Sequence, residues 1–184
     1  MKIHLENNFI TEKDAKTIIN FLDSSDNDYG KMVHTRRTIR FGIDKYNGTT
    51  EKLSSAQSLT EMLEFYSNKA TDLVNKVFEH QNPLYVSTLW LSKQTIGSKI
   101  MPHSDLDGGI NSQYTHSGII YLNTQTSGGE LYFPKLEKEF KPNLGDFILF
   151  EARSKESLHG VKLTEQNRYA IPIWFTDEEQ YKLT

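Results

Sequence analysis

The feature that most constrains how this chain can fold is a change of rhythm at Pro83. Before it, Leu59, Met62, Leu63, Tyr66, Ala70, Leu73, Val74, Val77 and Phe78 recur at helical spacing. They predict one amphipathic helix from about residue 58 to 79. After it, apolar residues come in short runs at 84–91, 99–102, 117–122, 130–133, 139–141, 147–150, 158–162 and 169–175. Turn residues separate the runs: Asp107-Gly108-Gly109, Ser127-Gly128-Gly129 and Asn143-Leu144-Gly145-Asp146. Gly128-Gly129 reads as a hairpin turn, and Gly145-Asp146 as a turn ahead of a core strand.

About eight short strands behind supporting helices predict an α+β chain that is mainly β. The expected core is a jelly-roll double sheet, or double-stranded β-helix, with N-terminal helices packed on one face. A length of 184 residues suits a single domain over 1–184. Within it, residues 1–82 would form the helical support and 83–176 the β core. Thr11 with Glu12 and Asp14 behind it reads as a first helix start, followed by Ala15, Ile18, Ile19 and Leu22 at helical spacing. The polar stretch 23–57 suggests one strand near 38–43, and 30–48 is a candidate lid.

With no cysteine, disulfides, thiolate metal sites and Cys nucleophiles are excluded. Net charge of −3 gives no global attraction to nucleic acid or anionic membrane. Arg36-Arg37-Thr38-Ile39-Arg40 is a local basic patch whose ordinary reading is a solvated strand or loop edge. No run approaches the ~18 apolar residues of a membrane span, and residues 1–20 lack a signal-peptide pattern, so a cytoplasmic protein is expected.

Chemistry concentrates in His103-Ser104-Asp105, His159 and Arg168. Two residues apart at a strand end, His103 and Asp105 point to one side. A second imidazole from a distant strand, His159, would complete a 2-His-1-carboxylate face. Such a face leaves half of an octahedral metal open and suits non-heme Fe(II). His-x-acid pairs also arise by chance, and His4-Leu5-Glu6 is a decoy without a second His in a suitable β context. Taken alone, His159 would read as a buried structural histidine. Arg168 shares a strand face with Ala170, Pro172 and Trp174. Buried there, its guanidinium needs an anion, and its fork matches a carboxylate. A surface arginine on an edge strand is the competing reading, which Pro172 favours.

Six ordered motifs extend this picture: PHSD (102–105), YLN (121–123), SGGELYFP (127–134), PNLGDFILF (142–150), LHGV (158–161) and NRYAIPIWF (167–175). Through them, residues 84 to 176 resemble the catalytic core of the 2-oxoglutarate- and Fe(II)-dependent dioxygenases of prolyl 4-hydroxylase type, including the hypoxia-sensing prolyl hydroxylases. The resemblance implies that His103, Asp105 and His159 bind Fe(II). It implies that Arg168 and Tyr121 hold the far carboxylate of 2-oxoglutarate, and that Leu131, Val161 and Trp174 line the co-substrate pocket. With O2, such enzymes convert 2-oxoglutarate to succinate and CO2 while hydroxylating a C–H bond; ascorbate is a candidate addition. The implied partner is a peptide or protein, with proline at C4 the leading target. The alternatives are a free amino acid, another side chain, nucleic acid, or a jelly roll that only binds. Nucleic acid is disfavoured, because relatives acting on alkylated bases carry an arginine where Trp174 stands. Two positions depart from the pattern: Lys93 stands where hypoxia-type relatives carry a co-substrate-contacting tyrosine, and Tyr114 where prolyl hydroxylases often place a substrate-contacting arginine.

Overall fold

Ten strands and two α-helices are found among the residues that the computed structural model describes, 1–24, 36–42, 57–106 and 112–183. The strands are β1 (Ile3–Glu6), β2 (Arg36–Gly42), β3 (Tyr85–Gln94), β4 (Ile100–His103), β5 (Tyr114–Tyr121), β6 (Leu131–Phe133), β7 (Lys138–Phe140), β8 (Phe147–Glu151), β9 (His159–Val161) and β10 (Arg168–Thr176). The helices are α1 (Glu12–Ser24) and α2 (Gln57–Val77). Each of the eight runs after Pro83 forms a strand, with ends shifted by no more than three residues.

The strands make two antiparallel sheets, ordered β1-β8-β5-β10-β3-β2 and β4-β9-β6-β7. This is the expected jelly roll. Its larger sheet also takes two strands from the first 82 residues. β1 lies in a stretch read as helical support, yet it pairs with β8, Ile3 opposite Phe150 and Glu6 opposite Phe147. The decoy His4 lies on β1, where its Nε2 is 3.1 Å from its own neighbour Glu6. The basic patch lies on β2, paired with β3 from Arg36↔Gln94 to Gly42↔Thr88. The rest of the candidate lid, 30–35 and 43–48, falls outside the described residues, as does the Asp107-Gly108-Gly109 turn.

Local chemistry explains the helices. The Thr11 hydroxyl accepts the Asp14 N–H at 3.1 Å, an N-cap bond that satisfies one free donor of α1. Ala15, Ile18 and Leu22 of α1 are buried together with Leu59, Leu63, Tyr66, Ala70 and Val74 of α2. Both helices cover the outer face of the larger sheet, through Leu89, Leu91, Ile120, Phe147, Tyr169, Ile171, Ile173 and Phe175. Its inner face packs on the smaller sheet through Ile119, Tyr121, Ile148, Phe150 and Ala170 against Leu131 and Phe133. Alternation therefore splits β10 cleanly, with Tyr169, Ile171, Ile173 and Phe175 toward the helices and Ala170 toward the other sheet. At Gly118 any Cβ would come within 2.6 Å of the Phe147 ring, so this outer-face position admits no side chain without repacking.

Gly128-Gly129 requires a correction. β5 and β6 belong to different sheets, so the segment between them is a crossover and not a hairpin. Both glycines adopt positive φ, 66° and 74°, and Gly128 bridges Thr164 instead. A Cβ on Gly128 would collide with the Leu163 carbonyl.

His116, on the helix side of β5, packs its ring 4.5 Å from Phe78 and 5.8 Å from His80. Burial, reinforced by the nearby His80, pushes its pKa from 6.5 to about 4. The folded protein thus holds His116 neutral, and its contribution to stability is present above pH 6.5 and lost as pH falls toward 4. The loss is at most about 3 kcal/mol. In urea unfolding, His116→Phe is expected to gain on the wild type progressively between pH 6.5 and 4. A difference that does not vary with pH would exclude His116 as a titrating group. Among the described residues, no helix is long and apolar enough to cross a membrane.

Candidate functional site

Two short strands of the smaller sheet bring the polar triad together. β4 and β9 pair antiparallel with His103 opposite His159, and the two rings lie 4.6 Å apart. Asp105 follows in the turn after β4. Its carboxylate oxygens lie 3.7 Å from His103 Nε2 and 4.0 Å from His159 Nε2. One ligand atom from each residue lies within 4.8 Å of the others, and this is the one such group found among the described residues.

Each imidazole is fixed from behind. His103 Nδ1 is 3.0 Å from the Met101 carbonyl, and His159 Nδ1 is 2.9 Å from the Ser157 carbonyl. A carbonyl can only accept, so each bond puts the proton on Nδ1 and leaves an Nε2 lone pair facing Asp105. The Ser117 hydroxyl donates to Asp105 Oδ2 at 2.5 Å and orients the carboxylate. Burial alone would raise the Asp105 pKa. The closeness of His103 and His159 and the Ser117 bond outweigh it and hold the carboxyl below its usual range. Burial lowers the His159 pKa and favours the neutral, ligating form. Three lone-pair donors of mixed imidazole and carboxylate type converge on one point and on one side. That donor set fits a divalent first-row cation with open coordination positions.

A second polar group lies on the inner face of the larger sheet. Arg168 begins β10 and is only 3 % exposed. Its Nη1 donates to Gln94 Oε1 at 2.5 Å, and its Cζ lies 5.0 Å from the Tyr121 ring centroid. Nε and Nη2 find no hydrogen-bond partner among the described residues, nor does the fully buried Tyr121 hydroxyl. Burial pushes the Tyr121 pKa up, against the opposing pull of the Arg168 charge. A buried guanidinium with two open N–H groups beside an open hydroxyl fits an anion with at least two acceptor oxygens. This excludes the surface reading of Arg168.

Apolar residues connect the two groups. Val161 follows His159 by two positions on β9 and pairs with Leu131, and both are buried. Leu131 shares its cluster with Tyr121. Trp174 pairs with Ser117 across β10 and β5, one residue from the Asp105 carboxylate. Its ring is 4.6 Å from Trp90 and 5.9 Å from Tyr114, the latter stacked at 22°.

Three contacts were not anticipated from the sequence: Gln94 on Arg168, Ser117 on Asp105, and Trp90 against Trp174. Cross-strand register would have found Gln94, because it lies directly opposite Arg168. Lys93 stands where hypoxia-type relatives carry a tyrosine, and it makes no contact with the site among the described residues. It lies on the helix side, ion-paired with Asp23 at 2.8 Å, and Gln94 is the end of β3 that faces Arg168.

The family model of the 2OG-Fe(II) oxygenase superfamily matches residues 88–176. A putative prolyl 4-hydroxylase of Acanthamoeba polyphaga mimivirus is 33% identical over 69 residues, 33% of this chain and 28% of that protein. Prolyl 3-hydroxylase 1 of Gallus gallus is 40% identical over 67 residues, 33% of this chain and 9% of that protein. The chain thus spans well under half the length of these curated relatives. A Trichoplax adhaerens prolyl hydroxylase, solved with a peptide fragment of the hypoxia inducible factor oxygen degradation domain, superposes with a TM-score of 0.69 at 18% identity. That superposition covers 97% of this chain and 85% of the other, and it shows a shared fold.

Proposed function

Because residues 88–176 form a 2OG-Fe(II) oxygenase domain, we propose that this protein is an Fe(II)- and 2-oxoglutarate-dependent dioxygenase that hydroxylates a prolyl residue of a peptide, at C4. One observation carries the reading. A three-donor face and a buried guanidinium without an anionic partner among the described residues lie in the same sandwich, joined by an apolar floor.

In this reading His103, Asp105 and His159 hold Fe(II), and Arg168 with the Tyr121 hydroxyl takes the distal carboxylate of 2-oxoglutarate. Iron bound there supplies O2 activation, coupled to conversion of 2-oxoglutarate to succinate and CO2. The chain's own groups do the rest. The Nδ1 bonds to Met101 and Ser157 keep both imidazoles oriented, each with a proton on Nδ1. Leu131 and Val161 exclude water from the stem of the co-substrate. Trp174, with Tyr114 and Trp90 behind it, offers an aromatic wall one residue from the carboxylate ligand. A pyrrolidine ring is rigid and apolar and has no N–H to satisfy, which suits such a wall. The substrate's flanking backbone then carries most of the remaining affinity. Ascorbate is included as a reductant, and a cytoplasmic setting is part of the same proposal.

The names of the curated relatives favour one second reading, hydroxylation of the same ring at C3. Incubating the protein with Fe(II), 2-oxoglutarate, ascorbate and a proline-containing peptide library should yield succinate and a gain of one oxygen on proline. NMR of the product separates C4 from C3. Oxygen insertion only on free amino acids or nucleobases would end the prolyl reading and leave the dioxygenase one standing. No succinate under any condition would leave a jelly roll that only binds.

A further inference from the structure

The contact between Gln94 and Arg168 does more than fill space. Both are buried, 1 % and 3 % exposed, and they sit directly opposite each other on β3 and β10. A guanidinium has only donors, so the amide oxygen must face it, and the 2.5 Å bond to Nη1 fixes how the guanidinium is turned. The Tyr121 ring closes a second side. What remains is the edge formed by Nε and Nη2, both without partners among the described residues. That edge is the two-pronged fork that takes a carboxylate bidentately.

We propose that Gln94 is a positioning residue that orients Arg168 through a neutral acceptor and so leaves its charge available to the distal carboxylate of the co-substrate. The inference rests on the dioxygenase reading above. A glutamate at this position would have the same shape and would reach the same nitrogen. It would bring its own negative charge, pair with Arg168 permanently and repel the incoming carboxylate. A leucine would leave the charge available but the guanidinium unoriented. Gln94 thus meets two requirements that neither replacement meets together.

Calorimetry on the Zn(II)-loaded protein tests this with two probes, 2-oxoglutarate and 2-oxovalerate. The second has a methyl group in place of the distal carboxylate. In Gln94→Glu, 2-oxoglutarate binding should weaken by roughly a hundredfold or more, the scale of a buried charge effect, with 2-oxovalerate unchanged. The melting temperature of the metal-free variant should stay level or rise, because an internal ion pair replaces an unmatched charge. Gln94→Leu should lose about tenfold for 2-oxoglutarate only, with a lower melting temperature. That opposition, an equal or tighter fold with weaker binding in one variant and a looser fold with a smaller loss in the other, is not what a purely structural residue produces. If Gln94→Glu or Gln94→Leu binds 2-oxoglutarate as the wild type does, the inference is overturned. If the wild type itself does not prefer 2-oxoglutarate to 2-oxovalerate, the carboxylate anchor at Arg168 falls, and this inference with it.

Discussion

Alanine in place of His103, Asp105 or His159 is expected to abolish Fe(II)-dependent succinate formation in each case while leaving a folded protein. The three donor atoms lie within 4.8 Å of one another, so in the proposed reading each would supply one third of a common coordination face. Two remaining ligands cannot hold an open-sided first-row ion at working concentration. The structural cost differs among the three. His103 stands at the partly exposed mouth, with 40% of its side chain accessible, and its loss should barely move the melting temperature. His159 packs between Phe133 and Phe150, at 5.9 and 4.8 Å, so its loss opens a small cavity. Asp105→Ala strips the Ser117 hydroxyl of its acceptor, which costs about 1–3 kcal/mol. Metal binding by calorimetry, turnover and circular dichroism together check the assignment. Near wild-type activity at low iron in any one variant would remove that residue from the ligand set.

The second large effect concerns the co-substrate. Arg168→Ala should raise the 2-oxoglutarate requirement by between about two and four orders of magnitude, the equivalent of about 3–5 kcal/mol for breaking a buried charge pair. Tyr121→Phe removes one hydrogen bond to a charged group, about 1.5–3 kcal/mol, and should shift the same titration less. The metal-free proteins should behave differently from the bound ones. The Tyr121 hydroxyl has no partner among the described residues, so Tyr121→Phe should leave the unliganded melting temperature level or slightly higher. Equal or reversed sensitivities in the 2-oxoglutarate titration would place the anchor elsewhere.

Much of this was legible in the sequence because turn residues and alternation are local signals. The runs at 84–91 and 169–175 read as strands and became β3 and β10, and the alternation of β10 put Arg168 and Trp174 on one face. Non-local facts were harder to read. The run ending at residue 91 stopped short of Gln94, because Ser92, Lys93 and Gln94 are polar and only the register with Arg168 reveals that Gln94 is buried. Ser117 has no motif, and its role exists only because β5 passes behind the turn carrying Asp105. β1 is four residues long and lies at a sheet edge, where one-sided burial leaves a faint pattern. Glycines 128 and 129 announce a turn but not which strands the chain visits on either side of it.

The two-faced character of β10 also limits how this protein can change over evolutionary time. In the proposed reading Arg168, Ala170 and Trp174 face the co-substrate side, while Tyr169, Ile171, Ile173 and Phe175 pack against the helices. Substitution can tune either set without disturbing the other. A deletion or insertion of one residue would exchange the two sets, sending the guanidinium toward the helices and the aromatic Tyr169 toward the co-substrate. Lineages carrying this strand should therefore vary in its letters and not in its length, with length changes confined to the connections before Arg168 and after Thr176.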